Sequence, residues 1–114
     1  MKRLDITIPH EYLVDINQIL HKHRVGGMTF YDIKGRGKTK NEPVAVGRSS
    51  KRYVPEFGYH TKIEVIVSNE LAKTIIRDVL NMVSDGSSAT GKIFVYDVEE
   101  IYDLASGEKG ESAL

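Results

Sequence analysis

The chain contains no cysteine, which excludes disulfides, thiol catalysis and thiolate metal sites. It has no excess charge either. Sixteen basic and sixteen acidic residues cancel, so no global field draws it to nucleic acid or to an anionic membrane, and any anion binding must be local. No apolar run approaches the roughly 20 residues of a membrane span. The opening MKRLDITIPH alternates where a signal peptide would carry a continuous apolar core. These absences predict a cytoplasmic protein with no direct membrane insertion and no nucleic-acid partner. Tryptophan is absent, but with 40% hydrophobic and 28% charged residues the composition is that of a globular chain rather than a disordered one. The 114 residues fit a single domain, 1–114, near the size at which association between copies helps to bury apolar surface.

Residues Lys2 to Ile8 alternate Leu4, Ile6 and Ile8 with Arg3, Asp5 and Thr7, the period of a half-buried strand ended by Pro9. Between His10 and Arg24, Leu13, Ile16, Ile19 and Leu20 fall at helical spacing, and Gly26-Gly27 is the expected stop. Met28 to Lys34 and Tyr59 to Val67 read as two further strands. Ser68-Asn69-Glu70 supplies a cap and an acidic first turn for a second helix, whose apolar stripe holds Leu71, Ile75, Val79 and Met82. Ser84 to Thr90 is a turn by composition, Lys92 to Tyr96 a short strand, and Val98 to Leu104 a candidate edge strand. The order β-α-β-β-α-β predicts an α+β fold of the ferredoxin-like kind, an antiparallel sheet with both helices on one face. The other face then meets water or another copy. Between the second and third strands lies a long loop, about 35–57, without sustained periodicity. Such loops are uncommon in compact domains unless they serve a function or are disordered.

That loop begins GRGKTK: two glycines admit close backbone approach, and the cations of Lys34, Arg36, Lys38 and Lys40 suit phosphate oxygens. Alone, such a run usually marks a solvated surface. Gly86 to Lys92 matches G-x4-G-K, but Ile93 stands where a nucleotide-binding P-loop needs Ser or Thr, and the next element is a strand rather than a helix. A phosphate cradle of another kind survives, against the alternative of a polar turn with a solvated lysine. The histidines, His10, His21, His23 and His60, form no ligand spacing and suit surface or capping roles. No G-x-S-x-G elbow is present, and Glu99-Glu100 is a plain acidic run.

Taken together, the order of elements, the KGRGK approach to the loop, TGKIFVYDVEE and the terminal SGEKGESAL resemble the P-II nitrogen regulatory family of the GlnB and GlnK type. The resemblance implies a homotrimer that binds ATP or ADP in clefts between subunits. It further implies a long T-loop that responds to nucleotide and 2-oxoglutarate and docks on an ammonium transporter or a nitrogen-assimilation enzyme. A protein of this kind regulates enzymes or transporters and is not itself a catalyst. By residue match, Gly35, Gly37, Lys38 and Thr39 stand at the nucleotide-contacting start of the loop, Thr29 near the adenine, and Gly91 and Lys92 at the phosphate-binding turn. Arg48 is the candidate transporter-plugging arginine. Tyr53 aligns with a tyrosine that some bacteria uridylylate, and Ser49 or Ser50 could accept a phosphate.

Several positions depart from the family pattern. Ala89-Thr90-Gly91 replaces Gly-Asp-Gly, Asp103 and Ala105 replace two arginines near the phosphates, and Thr39 replaces a glutamine that helps hold magnesium and 2-oxoglutarate. His60 replaces the lysine that pairs with the keto acid, and a neutral imidazole lacks that fixed charge. These departures favour an alternative in the same family, a divergent sensor of AMP or ADP, a cyclic nucleotide or bicarbonate with a different partner. A small enzyme or heavy-metal-binding trimer on the same fold is opposed by the missing cysteines and scattered histidines.

Overall fold

The computed structural model describes residues 1–38, 43–48, 51–84 and 90–114. Strand β1 (Lys2–Ile8) leads through a 3-10 turn at His10–Tyr12 into helix α1 (Leu13–Lys22), then β2 (Thr29–Gly35). Two short strands, β3 (Val44–Ala45) and β4 (Arg52–Tyr53), lie in the long loop. β5 (Gly58–Val67), α2 (Asn69–Val83) and β6 (Lys92–Asp97) complete the domain. The main sheet runs β2-β5-β1-β6 with every pairing antiparallel, the split-βαβ arrangement expected from the sequence.

β1 is central and is matched against β5 from Lys2↔Val67 to Ile8↔Thr61. This register sets Leu4, Ile6 and Ile8 beside Ile63, Val65 and Val67 on one face, where they join Ile16 and Leu20 of α1 and Ala72, Ile75 and Val79 of α2 in one buried cluster. The Ser68 hydroxyl caps α2 by accepting from the Leu71 N–H at 3.2 Å, as the sequence predicts. α1 ends differently from expectation. Arg24, not a glycine, takes the left-handed conformation (φ 59°), and the N–H groups of Arg24 and Val25 donate to the carbonyls of His21 (3.0 Å) and Leu20 (2.9 Å). That is a Schellman closure, with Val25 folded back onto the core and the two glycines already beyond it.

The loop is also more ordered than its missing period suggests. Val44 pairs with Tyr53 and Ala45 with Arg52, making a two-stranded ribbon. Every described residue from Gly35 to Val54 is exposed, so the ribbon stands off the sheet as a finger. The radius of gyration, 17.3 Å, exceeds the roughly 13 Å of a compact domain of this length. The expected edge strand at Val98–Leu104 does not form. Instead, a single bridge joins Tyr102 to Lys109, and Asp103 turns the chain between them. No described helix is long and apolar enough to cross a membrane.

Candidate functional site at the loop base and the sheet edges

Gly35 closes β2 opposite Gly58, and Gly37 and Lys38 follow it, exposed, into the finger. The finger's base is clamped by Arg36, whose guanidinium donates to Glu56 at 2.7 Å, and Lys34 stacks its ammonium over the Tyr59 ring at 5.4 Å. Beside this base lies a cavity of about 340 Å³ lined by His10, Asp32, Ile33, Lys34, Tyr59 and His60. At the same end His10 Nδ1 meets the buried Thr61 hydroxyl at 2.9 Å, and that hydroxyl donates toward Asp32 at 3.4 Å.

Gly91 and Lys92 open β6 at this same end of the sheet, with Lys92 opposite Thr7. Gly91 has a steric reason to be glycine, since a Cβ there would lie 2.1 Å from the Thr7 carbonyl oxygen. A small apolar cavity of about 90 Å³ under α2 borders both residues. His60 reaches past the end of β1 to within 3.4 Å of the Thr90 hydroxyl, linking the finger's return strand to the turn before Gly91.

The proposed cations are therefore at one end of the sheet but on opposite edges. β2 and β6 are separated by β5 and β1, three strand spacings or roughly 14 Å. Thr29 sits six residues before Gly35 on β2, about 20 Å along the strand, paired in register with Glu64. Within one chain the structure brings Gly35, Gly37 and Lys38 together at the finger base and Gly91 with Lys92 at the opposite edge, and it joins neither group to Thr29. Arg48 and Tyr53 are exposed on the finger. Thr39, Ser49, Ser50 and most of the glycine-rich turn, including Gly86, lie outside the described residues.

Asp103 is committed to local structure. Its carboxylate accepts from the N–H groups of Ser106 (2.8 Å) and Ala105 (2.9 Å) and from the Ser106 hydroxyl (3.1 Å). The Ser106 N–H, then its hydroxyl and the Ala105 N–H, hold this carboxyl below the usual carboxylate range, so it stays anionic.

The sequence reading missed the network on the open face. Arg3 makes a forked contact with Asp5 (2.7 and 3.0 Å) and also donates to Glu64 (2.9 Å), which accepts from the Tyr31 hydroxyl at 2.7 Å. Lys62 adds a contact to Asp5 at 3.4 Å. The signal was the alternation of Arg3, Asp5 and Thr7 on one face, but the register that sets Asp5 opposite Glu64 cannot be read from β1 alone.

The split-βαβ sheet thus divides its cationic segments between two edges and carries a short, exposed ribbon beyond one of them. The chain belongs to the family described as "Nitrogen regulatory protein P-II", which matches residues 1–108. It is 29% identical over 114 residues to the "Nitrogen regulatory protein P-II" of Klebsiella oxytoca and 30% identical to that of Pasteurella multocida, covering 100% of both chains in each case. The solved structure of Bacillus subtilis GlnK superposes with a TM-score of 0.76 at 26% identity, over 99% of this chain and 97% of that one. The B. subtilis GlnK–ATP complex gives 0.76 at 25%, over 99% and 96%. Membership establishes a regulator of nitrogen metabolism rather than an enzyme.

Proposed function

We propose that this protein is a homotrimeric, cytoplasmic P-II signal transducer that binds ATP or ADP between subunits and reports occupancy through its finger. The observation that carries this reading is the division of the candidate site between two edges at one end of the sheet. Gly35, Gly37 and Lys38 leave one edge, Gly91 and Lys92 open the other, and a neighbouring copy can bring the two halves together. The B. subtilis GlnK–ATP complex supports an adenine nucleotide as the ligand. Thr29 serves the base, and Lys38, Thr39 and Lys92 serve the phosphates. A nucleotide that contacts the loop base favours some finger conformers over others and so changes what Arg48 and Tyr53 offer to an ammonium transporter or assimilation enzyme. Ser49, Ser50 or Tyr53 would accept a modification.

One observation favours a second reading, a sensor of AMP, ADP, a cyclic nucleotide or bicarbonate. Asp103 is an anion engaged in its own turn where the family resemblance implies an arginine, so the phosphate side would have less positive charge to offer. Calorimetry with ATP, ADP, AMP and cyclic AMP, with and without magnesium and 2-oxoglutarate, separates the two. The first reading expects ATP to bind more tightly when 2-oxoglutarate is present, whereas the second expects AMP, ADP or cyclic AMP to bind in preference to ATP; under the first, Lys38→Ala and Lys92→Ala each weaken affinity at least about fivefold, the effect of losing one charge contact near a surface. Absence of adenine-nucleotide binding, or a stable monomer by sedimentation, overturns it.

A further inference from the structure

Two residues apart on β2, an acid and a base line one cavity without meeting. The strand register places Asp32 opposite Thr61 and Lys34 opposite Tyr59, and Thr61 belongs to the row of β5 that continues through the core residues Ile63, Val65 and Val67. Asp32 and Lys34 therefore stand on the helix-covered side of the sheet, whereas Thr29, opposite Glu64, and Lys92, opposite Thr7, stand on the other. The helices leave this corner uncovered. Phe30 and Tyr59, on the same side, are more than half exposed, and here lies the cavity of about 340 Å³, with His10, Asp32, Lys34 and Tyr59 in its wall and Ile33 and His60 completing it.

In this corner the charges are held apart. The Lys34 ammonium lies over the Tyr59 ring and pairs with no carboxylate among the described residues. The contacts of Asp32 are long, 3.4 Å to the Thr61 hydroxyl and 3.8 Å to His10 Nδ1. Because the buried Thr61 hydroxyl turns its hydrogen toward Asp32, its oxygen accepts from the His10 Nδ1–H at 2.9 Å, and the neutral ring keeps Nε2 as an acceptor. The wall thus offers a carboxylate, an imidazole acceptor and an ammonium, together with the apolar surface of Ile33 and the Tyr59 ring. Its volume falls at the lower end of small-molecule pockets, roughly 300–1,000 Å³.

We propose that this corner is a small-molecule site of its own, on the opposite side of the sheet from Thr29 and Lys92, and that its ligand is a free α-amino acid. A zwitterion answers the lining group by group. Its ammonium donates to Asp32 and to His10 Nε2, its carboxylate accepts from the Lys34 ammonium, and an uncharged apolar side chain lies against Ile33 and Tyr59. A simple anion would meet the like charge of Asp32 and a simple cation that of Lys34, so neither suits the pair. Positions i and i+2 of a strand are roughly 7 Å apart, close enough for one small zwitterion to bridge. Contacts between exposed charges contribute little apiece and are screened by salt, so the affinity is modest and salt-dependent. None of the residues assigned to the nucleotide takes part.

The test is calorimetry of the full-length protein without nucleotide at about 0.01 M salt, where screening extends to roughly 30 Å. The probes are leucine and its two one-charge analogues, isoamylamine, which lacks the carboxylate, and isocaproate, which lacks the ammonium. Leucine is expected to bind at about 1 mM or tighter, and each analogue at least about fivefold more weakly, the effect of losing one charge contact near a surface. Asp32→Asn and Lys34→Met each weaken leucine binding by the same factor, and the analogues give the answer without any change to the chain. Failure of leucine to bind, an analogue that binds as tightly as leucine, or an affinity unchanged in either variant overturns the proposal. So does displacement of leucine by ATP, which places it in the nucleotide site instead. ATP binding by a chain that ignores leucine sinks this site alone, and leucine binding by a chain that ignores ATP supports it while overturning the nucleotide reading.

Discussion

On the helix-covered face of the sheet Leu4, Ile6, Ile63 and Val65 are at most 2% exposed beneath α1 and α2, whereas on the other face Ile66, Phe94 and Tyr96 remain 38–49% exposed around a cluster of charges. The first face is finished within one chain. The second is half finished. Its polar groups are matched, with Asp5 only 1% exposed under Arg3 and Lys62, and Arg3 stacked over the Tyr96 ring at 5.5 Å. Desolvation pulls the Lys62 ammonium down, but Tyr31 and Asp5 together hold it above its ordinary value, and the Tyr31 phenol is raised chiefly by its hydrogen bond to Glu64. What stays unsatisfied is apolar area, the kind of surface a second copy covers without breaking a charge pair.

Truncation on the finished face sharpens this contrast most. Ile75→Ala removes a side chain with 0% exposure, and a loss of about 2–5 kcal/mol in urea unfolding is expected, whatever the assembly state. Gly91→Ala sets a methyl group against the Thr7 carbonyl; a cost of about 1–3 kcal/mol is expected, because backbone must shift. If its melting curve overlies that of the wild type, the close approach of β6 to β1 is not a constraint.

Phe94→Ala, at a side chain 44% exposed, breaks the unfinished face instead. It is expected to raise the concentration at which copies dissociate by about tenfold, roughly 1.4 kcal/mol, with the far-ultraviolet spectrum of the folded chain retained; simultaneous loss of fold would contradict the division of labour between faces. Away from both faces, Ser68→Ala removes the α2 cap, and thermal unfolding should show a loss of about 1 kcal/mol.

The smallest effect is a pH dependence. His23, bonded to Asp78 at 2.6 Å, is the main cause of that carboxyl's depressed pKa, with Lys22 and Arg77 assisting. A carboxyl depressed in the folded state contributes stability that is present above its unfolded value, near pH 4, and is lost as pH falls through the folded one. His23→Ala should therefore flatten the acid limb of stability below about pH 4 while leaving the two sheet faces unchanged.

The alternation in β1 and β5 and the helical spacing in α2 made the sheet, its covered face and the loop's position legible, because burial on one face imposes a period on the sequence. Long-range register left no such trace. Nothing in the order of residues announces that Asp5 meets Glu64, that Arg36 reaches Glu56 or that His60 spans β1 to Thr90. The end of α1 was misassigned to glycine because a left-handed arginine has no compositional signature. The finger's ribbon escaped notice because two-residue strands are too short to show a period. The candidate site was legible as two cationic, glycine-bearing segments, but their separation by three strands emerges only from the strand order.

That strand order also bears on how the chain reaches its fold. β1 is made first, yet both its neighbours come late, β5 from residue 58 and β6 from residue 92. At about 5–20 residues per second, a nascent β1 waits roughly 3–12 s for β5 to be synthesised. Closing β1 against β6 then joins residues separated by nearly the whole chain, a high-contact-order step that slows folding. A central first strand thus makes biogenesis, rather than the finished domain, the period in which the edges of β1 are open to pairing with other chains.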